Sequence, residues 1–454
     1  MRSVNPATGE TIAEHAAHTP AEAAALLEAA GVAWRSWRAA SYADRASVLR
    51  AAARGLRARA TELARLAVLE MGKPIAQAEA EVEKCAATCD WYAEHGERLL
   101  APEDVPSDAT RSGTRCEPLG VLLAVMPWNF PYWQVVRAAA PALMAGNAVA
   151  LKHASNVTGV ALEIERTWTD AGAPPGVFRT LVLPSRDVAA AIDHPTVACV
   201  TLTGGEPAGV EVAGRAGRSL KKVVLELGGS DPFIVLADAD LERAAQQAAL
   251  ARVQNNGQSC IAAKRFIVVG DAARRFAELL ASRMAALVVG DPRERSHLRG
   301  TIARRDLVDE LHAQVERSVA AGARVLTGGT RPAGPGAFYP PTVLADVVPG
   351  MAAFDEETFG PLAPVTRARD EAEAVALANR SRYGLGASIW TRDAARGEAL
   401  AGAIEAGAVF VNGIVKSDPR LPFGGIKRSG HGRELGAAGI REFVNLKTVW
   451  VRED

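Results

Sequence analysis

Three short segments of the sequence contain side chains that could take part in one reaction. The first is the polar turn at residues 254–261, in which Cys260 stands three positions after Gly257. A cysteine in such a turn is presented to its surroundings, whereas most single cysteines of intracellular proteins pack as small core residues. Cys260 is therefore a candidate nucleophile only if other reactive groups accompany it.

Two further side chains could accompany that thiol. Glu226 interrupts the apolar run 223–227 and precedes two glycines. A carboxylate inside a strand is costly to bury unless it is paired or its pKa rises, and a raised pKa suits a general base. A solvated position at a strand end is the alternative for Glu226. Asn129, in the proline-bracketed turn 127–131, could either cap the next helix or donate to a developing oxyanion.

A series of motifs, taken together and in order, resembles the NAD(P)-dependent aldehyde dehydrogenase superfamily. The motifs stand at residues 4–10, 127–131, 151–152, 203–205, 226–229, 257–260, 357–361 and 422–425. The resemblance runs over nearly the whole chain, so it is far more specific than any single motif. It implies an oxidoreductase that converts an aldehyde to an acid with a nicotinamide cofactor.

The resemblance assigns a role to each of the three reactive groups. Cys260 attacks the aldehyde as a thiolate, so its pKa must fall from about 8.5 or a base must be supplied. The backbone N–H of Cys260 and the amide of Asn129 hold the oxyanion, a contribution of about 100-fold or more. After hydride transfer to the nicotinamide, Glu226 activates the water that hydrolyses the thioester. A family branch that transfers the acyl group to coenzyme A lacks this glutamate, so Glu226 favours hydrolysis.

The cofactor residues follow from the resemblance, because the sequence has no GxGxxG motif. Residues 203–205 precede a helix whose N-terminal amides and dipole face the pyrophosphate. Gly205 stands where the family commonly has serine, which removes one side-chain contact to phosphate. The residues assigned to the cofactor are Trp128 in the cleft, Lys152 and Ser155 at the adenosine ribose, Thr203, Gly204 and Gly205 at the phosphates, and Glu357 and Phe359 at the nicotinamide.

Ser155 makes NADP the preferred cofactor, with NAD also possible. NAD-preferring relatives often have glutamate at this place, where the carboxylate accepts hydrogen bonds from the ribose and would repel a 2′-phosphate. Serine removes that repulsion and adds a donor, and Lys152 supplies a positive charge. Ser155 could at the same time cap a helix that begins near Asn156.

The substrate is predicted from Arg137 and Ser417. Arg137, on the helix after Pro131, matches the place where members acting on succinate semialdehyde bind the distal carboxylate, and its planar fork suits that group. Ser417 and the segments 152–157 and 258–265 also resemble that subgroup, particularly its shorter bacterial forms. Succinate semialdehyde is therefore the expected substrate.

Two other functions remain open. One is oxidation of another small aliphatic or aromatic aldehyde, with Arg137 facing solvent. The other is a cysteine-dependent hydrolase or a catalytically silent binding protein. The missing Cys-His motif counts against a hydrolase, and the complete set of Asn129, Glu226 and Cys260 counts against a silent protein.

The elements that position these residues follow from the periodicity of the sequence. Residues 20–100 have helical spacing, with expected breaks at Gly31, at residues 72–74 and at Gly96. Short apolar runs alternate with helical ones over residues 120–227 and again over 233–411. Such alternation is typical of βαβ units with parallel sheets.

The sequence therefore predicts an α/β fold, with a Rossmann-like cofactor domain plus an α/β catalytic domain with a small β oligomerisation arm. The predicted domains are residues 1–110 and 121–229 for dinucleotide binding, 230–428 for catalysis, and 111–120 and 429–454 for oligomerisation. A boundary near Gly229 places Glu226 and Cys260 on opposite sides of it, where clefts form. The arm, and with it a homodimer or homotetramer, is implied by the resemblance alone.

Length, charge balance and composition limit the kinds of molecule that the protein is expected to bind. The chain has 454 residues, enough for two or three packed domains, and its 52 Lys plus Arg equal its 52 Asp plus Glu. This balance favours a small-molecule aldehyde over nucleic acid or an anionic membrane. No apolar stretch approaches the roughly 20 residues of a membrane helix, and the N-terminus lacks a secretory signal, so we expect a cytoplasmic protein. Five scattered cysteines and eight histidines without ligand spacing predict reduced thiols and no bound metal.

Overall fold

The first layer of the protein is helical, as the helical spacing of residues 20–100 predicts. The computed structural model describes residues 1–297 and 300–453. The layer consists of helices Pro20–Trp37, Tyr42–Ala58, Ala60–Met71 and Ile75–Leu99. The first two helices begin with capping boxes, formed by Thr19 with Glu22 and by Ser41 with Asp44. The third ends at Gly72, whose φ of 76° is left-handed.

Gly31 and Gly96 lie inside these helices and do not break them, so the prediction of breaks there is wrong. A Cβ at Gly31 would overlap the side chain of Thr196, and a Cβ at Gly96 would overlap the side chain of Met144. The two glycines are thus required by the close approach of neighbouring segments and not by turns. That packing offsets the cost of about 1 kcal/mol that glycine has in a helix relative to alanine.

A six-stranded sheet lies beside the helical layer. Its strands are, in spatial order, Gly430–His431, Lys222–Glu226, Val197–Thr203, Val121–Met126, Ala148–His153 and Phe178–Thr180. All neighbours are parallel except the first pair. The connecting helices are Trp133–Met144, Thr158–Asp170, Val188–Asp193 and Glu206–Arg218. The chain order reverses between Val121–Met126 and Val197–Thr203, a Rossmann-type arrangement in which ligands bind at the carboxyl ends of those strands.

A seven-stranded sheet contains the second α/β series. Its strands are, in spatial order, Arg324–Thr327, Thr342–Ala345, Leu362–Ala368, Ala263–Val269, Asp231–Val235, Gly386–Trp390 and Ala408–Val411. Only the first pair is antiparallel. The helices of this part are Leu241–Val253, Ala272–Ala285, Arg305–Ala320, Ala352–Asp355, Glu371–Asn379 and Ala394–Ala401. Two mostly parallel sheets flanked by helices confirm the predicted α/β fold class.

Three smaller sheets complete the described chain. Glu103–Asp104, Arg111–Pro118 and Val444–Val451 form an antiparallel three-stranded sheet. Two-stranded sheets pair Arg2–Val4 with Thr11–Glu14 and Tyr383–Gly384 with Ile426–Lys427. The last strand starts at Val444, because residues Gly436–Glu442 form a helix whose Ile440 is buried against the helical layer. The predicted division into domains and an oligomerisation arm stays a prediction.

The helix Trp133–Met144 begins slightly later than expected from Pro131, and an acid from another helix satisfies its start. Glu81 accepts hydrogen bonds from the backbone N–H groups of Tyr132 and Trp133, both at 2.9 Å. Glu81 is also ion-paired with Lys73, and both side chains are buried. The first-turn amides of a helix lack intrahelical partners, so this buried carboxylate replaces a local cap.

We expect Glu81→Ala to lower the free energy of unfolding by about 3–5 kcal/mol, because the buried Lys73 ammonium loses its partner. Urea unfolding measures the change. Glu79→Ala is the matched control, since Glu79 lies on the same helix and pairs with the exposed Arg295. The control should cost about 1 kcal/mol or less. Equal losses in the two variants would contradict the role given to Glu81.

Candidate active site

Two cavities meet at Cys260. One, called the cleft below, has a volume of about 370 Å³ and lies at the carboxyl ends of the six-stranded sheet. The other, called the pocket, has a volume of about 210 Å³ and lies against helices Ile75–Leu99 and Trp133–Met144. Cys260 and Gln134 line both cavities. A molecule in the cleft and a molecule in the pocket can therefore approach the same thiol.

The turn before Cys260 has a backbone that few residue types allow. Asn255 and Asn256 have φ values of 50° and 57°, and Gly257 has a φ of 79°. Asparagine and glycine are the residues that most readily adopt this left-handed region. A Cβ at Gly257 would also overlap the backbone of Gly360. The sequence of the turn is therefore set both by its conformation and by the segment packed against it.

Two buried cations hold the carbonyl groups of this turn. Arg252 donates to the carbonyl oxygen of Gly257 at 2.9 Å. Lys264 donates to the carbonyl oxygens of Ser259 and Cys260 at 2.8 and 2.7 Å. Irregular backbone inside a protein leaves carbonyl groups without ladder partners, and these side chains satisfy them. The thiol is thus held on a rigid support.

The thiol itself is partly buried and is not ionised in the free protein at neutral pH. Burial raises the pKa of the Cys260 thiol to about 12, and nearby Glu357 and Asp231 add to the rise. The positive charges of Lys264 and Arg137 oppose it. Only the thiolate attacks a carbonyl, so the site must supply a base or a further positive charge before reaction.

Asn129 directs its amide toward the nucleophile and does not cap a helix. Its Nδ2 donates to the carbonyl oxygen of Gln258 at 3.1 Å, and its side chain lines the cleft with Cys260. The helix that follows has Tyr132 at its cap position, with no side-chain capping bond. Over residues 1–297 and 300–453, the backbone N–H of Cys260 has no hydrogen-bond partner. Both donors predicted for the oxyanion therefore lie beside the thiol.

Glu226 is fully buried beside Arg137 and Glu434, at the end of its strand. Within the described ranges, both of its carboxylate oxygens lack a hydrogen-bond partner, and Glu226 lines neither the cleft nor the pocket. Burial raises its pKa well above the ordinary value, Arg137 opposes the rise, and Glu434 adds to it. The alternative of a solvated carboxylate is wrong. The structure gives Glu226 the raised pKa of a base but does not bring its carboxylate into contact with Cys260.

Six of the eight predicted cofactor residues line the cleft: Trp128, Thr203, Gly204, Gly205, Glu357 and Phe359. The rings of Trp128 and Phe359 meet edge to face, with centroids 5.8 Å apart.

Gly205 is the cap residue of helix Glu206–Arg218, whose first amides have no intrahelical partner. Glu206 in that first turn is neutralised by Arg428 and Arg382. The helix start can therefore accept an anion, as a pyrophosphate requires.

Lys152 and Ser155 lie on the neighbouring strand–helix connection and do not line the enclosed part of the cleft. Lys152 is near the end of strand Ala148–His153, and burial lowers its pKa. Ser155 opens a short 3₁₀ turn, Ser155–Val157, ahead of helix Thr158–Asp170. Neither turn nor helix has a side-chain capping bond. Capping by Ser155, expected from the sequence as a compatible role, is therefore absent, and its hydroxyl stays available.

Arg137 lines the pocket but is already engaged. Its guanidinium is ion-paired with Glu434, and Nη2 donates to Oγ1 of Thr203 at 3.2 Å. The side chain is 2% exposed and lies over the ring of Phe423. The alternative that Arg137 faces solvent is wrong.

Lys84 and Gln134 are among the residues of the pocket that sequence reasoning missed. Lys84 donates to Oγ of Ser417 at 2.7 Å and lies 4.0 Å from the centre of the Trp133 ring. Gln134 is buried, and its Oε1 has no partner among the described residues. Neither belongs to a recognisable motif. Lys84 looks like an ordinary helix lysine, and only the position of Gln134, three residues before Arg137 on one helix, could have indicated that the two share a face.

Metal and membrane sites were sought over the described part of the chain. There, no group of three or more His, Cys, Asp or Glu side chains is arranged to hold a metal ion. Among the same residues, no helix combines the length and apolar character needed to cross a bilayer. All five cysteines are free thiols.

Known proteins share this architecture over its full length. The aldehyde dehydrogenase family model matches residues 1–449. The chain is 51% identical over 451 residues to the probable succinate-semialdehyde dehydrogenase, NADP(+), of Synechocystis sp., with 99% of each chain covered. It is 50% identical over 450 residues to the succinate semialdehyde dehydrogenase Sad, NAD(P)+, of Escherichia coli K12, covering 99% of this chain and 97% of that one.

Solved structures of known proteins also match this chain. Succinic semialdehyde dehydrogenase from Streptococcus pyogenes, crystallised in complex with NADP+, superposes with a TM-score of 0.97 at 34% identity, over 100% of both chains. The full-length family match and these relatives show that the chain belongs to the aldehyde dehydrogenase family. The family predicted from the motifs is thereby confirmed.

We expect alkylation of Cys260 by iodoacetamide in the cofactor-free protein to accelerate steadily from about pH 7 to about pH 10, because burial keeps the thiol protonated over that range. Mass spectrometry of the peptide that contains Cys260 gives the rate. An unstructured peptide with one cysteine is the reference, and its rate should reach half of its maximum near about pH 8.5, the ordinary pKa of a thiol, and level off about one pH unit above that. A plateau for Cys260 below pH 8 would contradict a raised pKa.

Proposed function

We propose that this enzyme oxidises succinate semialdehyde to succinate, with NADP as its preferred cofactor and NAD as a second one. The observation that supports this most directly is the charge of the pocket beside Cys260. Three cationic side chains, Lys84, Arg137 and Lys416, line it. The one carboxylate on the lining, Glu81, is neutralised by Lys73. Such a pocket favours an aldehyde that has an anionic far end.

The names of the relatives support the same substrate. Proteins named as succinate-semialdehyde dehydrogenases match this chain at about half identity over nearly all of its length. The pocket is short, and its walls include the rings of Phe130, Trp133 and Phe423. A four-carbon aldehyde with a terminal carboxylate would place apolar methylene groups between Cys260 and the cationic end.

The proposed reaction begins at Cys260. Its sulfur adds to the aldehyde carbon, the thiol proton leaves to a base, and the carbonyl oxygen becomes an oxyanion. The Asn129 amide and the Cys260 backbone N–H would stabilise that oxyanion. Both residues line the cleft, and the Asn129 amide, which donates one hydrogen to the Gln258 carbonyl, has a second hydrogen to donate. When bound, the cofactor supplies the hydride acceptor that converts the tetrahedral adduct to a thioester. Trp128, Glu357 and Phe359 would hold its nicotinamide end, and Thr203, Gly204 and Gly205 its phosphates.

Hydrolysis would be the task of Glu226. A water molecule adds to the thioester carbon and gives its proton to Glu226, and the C–S bond then breaks to free Cys260 and the acid. The raised pKa of this buried carboxylate supports a role as base. Because Glu226 packs beside Arg137 and Glu434, the proposal requires its side chain to rotate toward the thiol during the cycle.

Recognition of the substrate carboxylate is proposed to involve Lys84 and Ser417 together with Arg137. Lys84 and Ser417 contact each other on the pocket wall. Arg137 already pairs with Glu434, so it adds a positive field to the pocket and has fewer free donors for the substrate.

Oxidation of an uncharged small aldehyde is the second candidate. The aromatic wall of the pocket and the engaged state of Arg137 favour it.

The assembly and location are further proposals. The three-stranded sheet that contains Val444–Val451 exposes Leu446 and Trp450, at 59% and 46%. Apolar side chains on an exposed sheet suit an interface between subunits of a homodimer or homotetramer. Five free thiols suit a reducing compartment such as the cytoplasm.

We expect Ser155→Glu to reduce kcat/KM for NADP by about 10- to 100-fold and to leave kcat/KM for NAD within about threefold, because a carboxylate repels the 2′-phosphate. Nucleotide reduction is followed by absorbance with succinate semialdehyde. Ser155→Gln, of similar size without charge, is the control and should have a smaller effect on NADP. An unchanged ratio of NADP to NAD in Ser155→Glu would refute the assignment.

We expect the wild-type enzyme to prefer succinate semialdehyde over butanal, its uncharged four-carbon counterpart. Lys84→Met should lower kcat/KM for the charged aldehyde by about 10- to 100-fold, the value of a charge-assisted hydrogen bond, and leave butanal nearly unchanged. Lys84 is a better target than Arg137, whose removal would leave Glu434 buried and unpaired. A wild-type preference for butanal would support the second candidate and overturn the first.

The preference for succinate semialdehyde over butanal should depend on pH. Burial lowers the pKa of Lys84 to about 8, and the charge of Arg137 adds to this. The ammonium is present below that pH and is lost above it, so the ratio of kcat/KM for succinate semialdehyde to that for butanal should fall as the pH rises through about 8. In Lys84→Met this fall should disappear. A fall of equal size in the variant would assign the pH dependence to another group.

A further inference from the structure

Lys264 contacts both sides of the site at once. It is the second residue of strand Ala263–Val269, four residues after Cys260, and its side chain is 1% exposed. Its Nζ donates to the carbonyl oxygens of Ser259 and Cys260 at 2.8 and 2.7 Å. The same nitrogen lies 3.2 Å from Oε1 of Glu357, which lines the cleft. One atom therefore joins the nucleophile turn to the cofactor side of the site.

The charge of Lys264 is matched by these three contacts. A lysine ammonium has three donors and no acceptor; here two carbonyl groups accept hydrogen bonds from it, and the Glu357 carboxylate forms an ion pair with its charge. A fully buried cation is tolerated only with such pairing. Because a single nitrogen makes all three contacts, a shift of the Glu357 carboxylate moves that nitrogen relative to the carbonyl of Cys260.

Glu357 occupies a slot that fixes where its carboxylate can lie. Its Oε1 also accepts a hydrogen bond from the backbone N–H of Gly229 at 3.0 Å. A Cβ at Gly228 would overlap Oε2, so only glycine leaves room for the carboxylate. In the proposed function this carboxylate accepts hydrogen bonds from the nicotinamide ribose. Binding there would polarise or displace the group that holds Lys264.

We propose that Lys264 is a positioning residue that couples cofactor binding at Glu357 to the orientation and reactivity of Cys260. The inference rests on the roles given to Cys260 and Glu357 in the proposed function. It differs from a purely structural role, in which Lys264 only satisfies two carbonyl groups and the thiol does not respond to what happens at Glu357.

The test measures how the cofactor changes the reactivity of the Cys260 thiol. The rate of Cys260 alkylation by iodoacetamide is determined without NADP+ and with saturating NADP+, and the ratio of the two rates gives the coupling. Cofactor affinity is measured separately by quenching of tryptophan fluorescence. Charged groups that act on this thiol besides Lys264 are Arg137, Glu357 and Asp231, so all rates are compared at one pH.

We expect a wild-type ratio clearly different from one, and a ratio at least about fivefold closer to one in Lys264→Met. Lys264→Arg, which keeps a buried cation with several donors, should recover part of the coupling. Glu357→Gln should lose coupling as Lys264→Met does, and the double variant should lose no more than either single one. Arg265→Lys is the matched control, because Arg265 is the next residue and donates to three carbonyl oxygens away from this site. It should keep the wild-type ratio.

A wild-type ratio of one, or an unchanged ratio in Lys264→Met, would overturn the coupling. If Lys264→Met does not fold, Glu357→Gln decides the question, since it leaves both carbonyl bonds of Lys264 in place. Cys260→Ala separates this inference from the proposed function. Loss of aldehyde oxidation in Cys260→Ala together with unchanged coupling in Lys264→Met would refute the inference alone, whereas turnover by Cys260→Ala would refute the mechanism beneath both.

Discussion

The site depends on buried cations that satisfy the carbonyl groups of irregular backbone. A nucleophile between two cavities cannot lie in the middle of a strand or helix, so the chain around Cys260 has no regular ladder to satisfy its carbonyls. Arg252 joins the turn before the thiol to the carbonyl of Thr358, at 3.0 Å, and Lys264 joins the turn to Glu357. The same two side chains thus fix the nucleophile and connect its turn to segment 357–360.

Burial dominates the electrostatics of the site. Burial raises the pKa of the Cys260 thiol, and it raises the pKa of Glu226 and Glu434 around the single guanidinium of Arg137. Two carboxyl groups that share one cation cannot both ionise cheaply, so Glu434 adds to the raised pKa of Glu226. Cys260 and the carboxyl group proposed as its base therefore both have raised pKa values in the free enzyme. A partly buried thiol with a raised pKa is less susceptible to oxidation than an exposed thiolate.

Sequence reasoning placed the motifs correctly but could not predict which distant residues contact them. The strands and the turns that follow them, including the turn of Asn129, were predictable because each depends on residues close in the chain. The Arg137–Glu434 pair joins residues far apart in the chain, and neither has a local pattern that indicates the other. Gly31 and Gly96 were misjudged for the same reason, since the atoms that exclude a Cβ come from distant segments. Ser155 was expected to cap a helix, but the 3₁₀ turn begins without a side-chain cap.

The residues proposed to select the substrate and those proposed to select the cofactor lie in separate parts of the molecule. The cleft and the pocket share only Cys260 and Gln134 among the described residues that line them. Lys84 and Ser417 lie on the pocket side, and Ser155 lies beyond the cleft on a different strand–helix connection. Residues this far apart with no shared contact act nearly additively, so changes in aldehyde preference need not disturb the choice of nucleotide. Lys264 is the exception, because it contacts both Glu357 in the cleft and Cys260, one of the two residues that line both cavities.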